Sequence, residues 1–359
     1  MKKIKVMNKT AQNNFLNYVF VTVAFIILQM LMSGGQLSSS LKGQLVPICA
    51  YIVMAISLNL TVGILGELSL GHAGFMGVGA FTGVIVTMSL KNVIVFSPLR
   101  LVIAMLAGGI IAGLTSLLVG VPVLRLRGDY LAIVTLAFGE IVKNIVNCLY
   151  VGVDQNGVHF SMTDSASLGL VDGGIVIVNG PMGAVGVTKL STFAMGYALV
   201  IVTLIVVQNL INSRTGRAIM ALRDNRIAAE SLGINITKYK LLAFSSSAVL
   251  AGMAGVLFAM NYSTVVAKKF DFNTSILVLV FVVLGGMGNI RGSIIAAAVL
   301  TVMPELLRGF SDYRMLVYAV VLVVAMLLTH GEKGRRLFEY LKEKATTKKS
   351  VRKEGAQND

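Results

Sequence analysis

Apolar runs of similar length alternate with short polar segments along most of this chain. Ten runs stand out, at 15–32, 45–65, 73–90, 101–124, 130–151, 192–212, 241–262, 274–286, 293–307 and 316–328. A helix crossing a hydrocarbon core of about 30 Å needs about 20 mostly apolar residues. Most of the runs meet that length; the last three are short. The pattern predicts an all-α fold, a polytopic membrane helical bundle of about ten transmembrane helices. The first run is 18 residues long, longer than the apolar core of about 7–15 residues in a signal peptide. The segment SGGQLSSS after it is a poor cleavage site, so the run reads as an uncleaved first span.

Composition agrees with this pattern and charge orients it. The chain has 359 residues, 56% hydrophobic and 13% charged, with a formal net charge of +15. So apolar a chain is not disordered, and its positive charge needs a membrane explanation before a nucleic-acid one. With the N-terminus inside and each run crossing once, one side holds 22 of the 31 Lys and Arg. They comprise four N-terminal lysines, Arg125 and Arg127, a block from Arg214 to Lys240, Arg291, and nine residues after position 330. This is the positive-inside asymmetry, and it requires an even number of spans with both termini cytoplasmic. The expected organisation is a transmembrane domain over 1–330 and a basic cytoplasmic tail over 331–359. The segment 152–191 then lies outside. It is too long for a simple turn, and its stretch GLVDGGIVIVNG argues for local β or re-entrant structure.

Two glycine-rich breaks interrupt the apolar pattern. In GILGELSLGHAGFMGVGAFTG (63–83), Glu67, Ser69 and His72 fall at membrane depth or at its rim. Broken helices can line a translocation path because their freed backbone groups need water or substrate. The competing reading is tight small-xxx-small helix packing, with Glu67 and His72 in a short cytoplasmic turn. The second break, LGGMGNIRGS (284–293), is a faint echo of the first. On the span from Tyr130, Glu140, Lys143 and Asn144 share a helix face by their spacing. Glu140 and Asn144 join Glu67, Ser69 and His72 as candidate path residues, with a structural Glu140–Lys143 pair as the alternative. No His/Cys cluster has metal-ligand spacing, no set of side chains forms a catalytic site, and Cys49 and Cys148 read as packed thiols inside spans.

The strongest signal is SRTGRAIMALRDNRIAAESLGINITKYKLLAF (213–244), far longer than a turn between spans. Ala218, Leu222, Ile227, Ala228, Ala229 and Leu232 give apolar helical faces. Asp224 or Asn225 can cap a second helix, Gly233 can stop it, and Asn235 or Thr237 can start the next. The polar face carries Arg217, Arg223, Arg226 and Glu230. An interfacial helix held by anionic lipid and a docking helix for a cytoplasmic protein are both open.

Here the chain resembles a known family. Ala228-Ala229-Glu230 followed by Gly233 is similar to the coupling loop of ABC importer permeases, although the acidic residue is displaced from its usual order. Three segments, GELSLGHAGFMGVGAF (66–81), YLAIVTLAFGEIV (130–142) and TGRAIMALRDNRIAAESLGINITKYKLLAFSSSAVLAGMAGVLFA (215–259), resemble the branched-chain amino acid permeases. The resemblance implies a membrane permease subunit of an ATP-driven importer in a bacterial cell membrane. It assigns the coupling role to Arg217, Arg223, Asp224, Ala228, Ala229, Glu230 and Gly233. It also implies cytoplasmic ATPase subunits, a second homologous permease and an external substrate-binding protein as partners. The chain has no phosphate-binding loop of the form GxxxxGK[ST], so it is expected to carry no cofactor or enzymatic site, with ATP bound on the partner. Permeases for urea, amides or sugars belong to the same family and remain open as an alternative. So does a secondary transporter coupled to an ion through Glu67, Glu140 and Lys143.

Overall fold

A computed structural model describes residues 2–35, 38–91, 93–124, 129–154, 157–171 and 173–307, with scattered positions from 313 to 323. Arg125, Arg127, most of the tenth apolar run and the 331–359 tail lie outside the described residues. Residues 1–302 form one compact unit, and 303–359 form a second.

Helices dominate. They are α1 (Lys2–Ser33), α2 (Ser39–Asn59), α3 (His72–Ser89), α4 (Ser97–Val123), α5 (Asp129–Asn147) and α6 (Phe193–Asn212). Two short helices, α7 (Arg214–Asp224) and α8 (Arg226–Ser231), precede α9 (Ile236–Ala259), α10 (Phe272–Gly285) and α11 (Ile290–Leu306). Local sequence explains the starts. Ser38, Thr192, Ser213, Asn225, Asn235 and Asp271 each accept a first-turn backbone N–H with the side chain, which satisfies a donor the helix leaves orphaned.

Among the described residues, seven helices are long and apolar enough to cross a membrane: α1, α2 with its extension to Leu65, α3, α4, α5, α6 and α9. The eighth and ninth apolar runs form α10 and α11, of 14 and 17 residues. At 1.5 Å per residue each is shorter than about 30 Å, and the second glycine-rich break lies between them.

The centre of the bundle is α9, which runs along α2, α3 and α4. Glycine makes this possible: a Cβ on Gly79 of α3 would lie 2.1 Å from the carbonyl oxygen of Gly252 of α9, and one on Gly255 would lie 1.9 Å from that of Met76. Small-residue contact of this kind replaces the hydrophobic drive that lipid does not supply. Phe75, Met76, Met54, Ile56, Leu58 and Leu101 are fully buried around it. The helix α5 turns Leu131, Thr135, Phe138, Val142 and Val146 inward and leaves Ile133, Ile141 and Ile145 exposed, an apolar outer face suited to acyl chains. At the rim, Phe25 of α1 stacks on Phe193 and Tyr197 of α6.

The expected local β structure in 152–191 is present as most of a small sheet. Its strands β1 (Tyr150–Asp154), β2 (Gly157–Ser161), β3 (Ile175–Asn179), β4 (Ala184–Val185) and β5 (Thr264–Val265) are antiparallel, in the order β2-β1-β3-β4-β5. The pairing of β5, just past the end of α9, with β4, just before α6, places both connections at one end of the bundle. The α7–α8 segment leads into the other end of α9, about 36 Å away for its 24 residues.

Candidate functional site

The chain between α2 and α3 breaks as the sequence suggests, and in a specific way. The last turn of α2 widens into a π-helix, Leu60–Leu65. Such segments are uncommon and frequently occur at functional sites. It ends at Gly66, whose φ of +79° is left-handed, a conformation that glycine adopts without a Cβ penalty. The N–H groups of Gly66 and Glu67 both turn back to the carbonyl of Thr61. Gly63 leaves room for the second break: a Cβ there would lie 2.2 Å from the backbone nitrogen of Gly288. The two glycine-rich breaks, faint echoes in sequence, pack against each other.

Asn59 joins them. Its Oδ1 accepts from the N–H of Gly288 at 2.8 Å, and its Nδ2 donates to Ser293 Oγ at 3.0 Å. Asn59 is 1% exposed, so both halves of the amide are satisfied where water would not replace them. Arg291, in the same break, hydrogen bonds to Asn17 of α1.

The α7–α8 block reaches this point from the other direction. Arg223 Nη1 donates to the carbonyl of Gly63 at 3.1 Å, while Nε and Nη2 hold Asp224 at 3.0 and 2.9 Å. Gly63 lies in the last turn of its helix, where carbonyls lack an intrahelical donor and the dipole favours a cation. The stem of Arg223 lies over Gly66, where a Cβ would be 2.7 Å from its Cγ. Lys240, in the first turns of α9, forms an ion pair with Glu67, with side chains 6% and 17% exposed. Leu60, Ile64 and Leu65 pack with Ile219 and Ala243, flanked by Leu210, Ile211, Met220 and Tyr239.

The block itself folds as the capping signals predict. Asn225 Oδ1 accepts from Ala228 N–H and Asn235 Oδ1 from Lys238 N–H, both at 3.0 Å. Asn225 and Asn235, rather than Asp224 and Thr237, are the caps. Gly233, at φ +79°, closes α8: its N–H bonds to Glu230 O and that of Ile234 to Ala229 O, the two bonds of a Schellman stop. Ala229 is buried, whereas Arg217, Asp224, Ala228, Glu230 and Gly233 are exposed. Ile227 and Leu232 are 81% and 82% exposed.

The candidate path residues separate into two groups. Glu67, Ser69 and His72 come together at the break. Glu67 is paired with Lys240. His72, 2% exposed, is hydrogen bonded through Nε2 to Ser57 Oγ at 2.8 Å. Ser69 Oγ is buried with no hydrogen-bond partner among the described residues. The start of α3 is held further by the N–H of Leu70, which donates to Thr135 Oγ1, and that of Ala73, which donates to Ser275 Oγ. Glu140 pairs with Lys143 along α5, beyond Thr135, and Asn144 is exposed. The structure does not bring these two to the break. Sequence reasoning did not find Asn59, Ser57, Thr135, Ser275 and Lys240. Of these, Asn59 alone carried a signal, as an amide inside an otherwise apolar run.

At the opposite end, Lys269 Nζ stands over the Tyr262 ring at 3.9 Å and the Phe258 ring at 5.8 Å. Burial holds the Lys269 ammonium below the usual lysine pKa and the Tyr262 hydroxyl above the usual tyrosine value.

Comparison with known proteins supplies a family. Residues 41–327 match the sequence family described as the permease component of branched-chain amino acid transport systems. The chain is 37% identical over 288 residues to the high-affinity branched-chain amino acid transport system permease protein LivM of Salmonella typhimurium LT2, covering 77% of this chain and 66% of that protein. It is 37% identical over 287 residues to LivM of Escherichia coli K12, with the same coverage. A shorter likeness, 31% over 125 residues, covers 33% of this chain and 39% of the ribose import permease protein RbsC of E. coli K12. The chain thus spans about two thirds of the length of the LivM proteins it matches. No solved structure matches it.

Proposed function

Since this chain belongs to the family of branched-chain amino acid transport permease components, we propose that it is the membrane permease subunit of an ATP-driven importer for branched-chain amino acids. In this reading the α7–α8 block docks onto a cytoplasmic ATPase, which binds and hydrolyses ATP. A second, homologous permease and an external substrate-binding protein complete the transporter, and the chain has no enzymatic site of its own. Both termini are cytoplasmic in this reading, in keeping with the sequence count in which ten crossings would give one side 22 of the 31 basic residues. The permease domain runs over 1–330, the basic tail follows it, and Glu67, Ser69, His72, Glu140 and Asn144 line or border the path.

The observation that carries the proposal is the exposure of Ile227 and Leu232, 81% and 82%, on a helix fixed at both ends by an Asn cap and a glycine stop. A helix of six residues too short to bury its own apolar side chains is a natural knob for a groove on a partner. Charged neighbours on the same block, Arg226 and Glu230, suit the polar rim of such a contact.

Purification of the full chain in mild detergent tests this. The wild type is expected to carry an ATPase with it. Ile227→Asp combined with Leu232→Asp is expected to lower ATPase recovery by about tenfold or more, a typical loss for two central interface residues, without changing the amount of folded permease. Undiminished recovery would overturn the docking role, and a wild type that never binds an ATPase would overturn the importer reading. Uptake of radiolabelled leucine, urea and ribose by the reconstituted transporter then separates the substrate classes.

A further inference from the structure

Two polar links and one apolar cluster join the α7–α8 block to the broken end of α2. The first link is Arg223 to the Gly63 carbonyl, across 160 residues of sequence. The second is Lys240 to Glu67, across 173. Between them, Leu60, Ile64 and Leu65 pack on Ile219 and Ala243. One helical turn before Gly63, Asn59 holds the α10–α11 break at Gly288 and the first turn of α11 at Ser293.

The links are asymmetric in stiffness. Both α7 and α9 are regular helices with side-chain caps. The element between Arg223 and Asn59 is a π-helical turn, a rare bonding register that occurs frequently at functional sites. Movement of α7 therefore has a direct purchase on the π-turn at the end of α2, where the backbone bonding is irregular. That part is itself bonded to the gap between two helices too short to cross the bilayer separately. Packed cores respond to small displacements by switching between discrete arrangements rather than by stretching.

We propose that Arg223 is a positioning residue for transport: it passes displacement of the α7–α8 block to the π-turn of α2, and Asn59 passes it on to the α10–α11 break, with Lys240–Glu67 as a second strut. The inference rests on the reading of α7–α8 as the ATPase dock, and it assigns Arg223 a role different from docking. One guanidinium nitrogen, Nη1, reaches the Gly63 carbonyl, the other two hold Asp224 at the surface, and the stem covers Gly66. Coupling in this chain then runs through the paired glycine-rich breaks.

The test uses the complete transporter in proteoliposomes, with radiolabelled leucine taken up and ATP hydrolysed measured in the same vesicles. Arg223→Met, which keeps the stem and removes the donors, is expected to co-purify with the ATPase and hydrolyse ATP, yet to move about tenfold fewer leucine molecules per ATP, within the usual range of coupling energies. Arg223→Lys, whose ammonium can still reach one carbonyl, is expected to restore most of that ratio. Asn59→Ala is expected to lower it too, and less than additively with Arg223→Met, as for residues on one linkage. An unchanged ratio in Arg223→Met overturns the inference, and so does loss of ATPase binding in that variant, which would make Arg223 a docking residue. Should Arg223→Met fail to accumulate, Glu67→Gln gives the same readout through the second strut, and an unchanged ratio there overturns the inference equally. A wild type that binds no ATPase is a different failure, of the importer reading itself.

Discussion

Between α3, α4 and α9, glycine removes side chains so that helix backbones can touch, as at Gly79 against Gly252 and Gly255 against Met76. At the end of α2 it serves a different purpose. There Gly63 and Gly66 admit a second backbone segment and an arginine stem, and the contacts that follow are hydrogen bonds and an ion pair. The first region is dry, uniform and held by close packing along whole helices. The second adds to a small apolar cluster a few directional bonds to Asn59, Arg223 and Lys240. A packed seam has one good arrangement, whereas a small set of polar bonds can exchange partners at modest cost. On the coupling proposed above, the close-packed seam is the fixed part of the bundle and the polar junction the part that switches.

The contrast can be broken first at the seam. Gly255→Val places branched carbon against a backbone oxygen already 1.9 Å from the Cβ position. Neither helix can yield locally, so a loss of about 3 kcal/mol or more is expected, seen as failure to recover monodisperse protein in detergent. Recovery with an unaltered unfolding midpoint would mean that the seam is looser than the structure shows.

The polar region is expected to respond less. Asn59→Leu removes the part-buried bond from the Gly288 N–H and the buried bond to Ser293 Oγ, which costs about 1–2 kcal/mol. Thermal unfolding of the purified permease should shift downward while the protein still accumulates. A midpoint equal to the wild type would remove Asn59 as the tie between the two breaks.

The smallest effect is expected when a pair is replaced whole. Glu67→Leu with Lys240→Met exchanges a largely buried ion pair for apolar side chains, a replacement that is often neutral or even stabilising, whereas removing one partner strands a charge and costs more. The single Lys240→Met should therefore be clearly less stable than the double variant. Equal stability of the two would show that the pair is not desolvated.

How much of this was legible in the sequence depends on distance along the chain. Seven of the ten expected spans, the local β structure in 152–191, caps narrowed to Asp224 or Asn225 and to Asn235 or Thr237, and the stop at Gly233 follow from patterns within a few residues, because helix length, capping and turn chemistry are local. Both glycine-rich breaks were visible for the same reason. Their mutual contact was not, since Gly63 and Gly288 have nothing between them in sequence that sets their separation in space. Glu67 illustrates the limit. Its type and depth made it a candidate for the path, yet its immediate partner is Lys240, on a helix that begins after two intervening short ones. Glu140 and Asn144 shared a face by spacing, but which way that face pointed was decided by how α5 packs on α3.

The sequence by itself determined that this chain is a multi-span helical membrane protein with an elongated basic block between two spans, because bilayer thickness and charge asymmetry act on each segment separately. It also determined where helices start and stop, through side chains that satisfy neighbouring backbone groups. Only the tertiary structure decided that the block grips the broken end of α2, that Asn59 ties the two breaks, and that one buried lysine answers Glu67. Those contacts join residues more than 150 positions apart, and their geometry exists only once α2, α7, α9 and the α10–α11 break have been packed around one another.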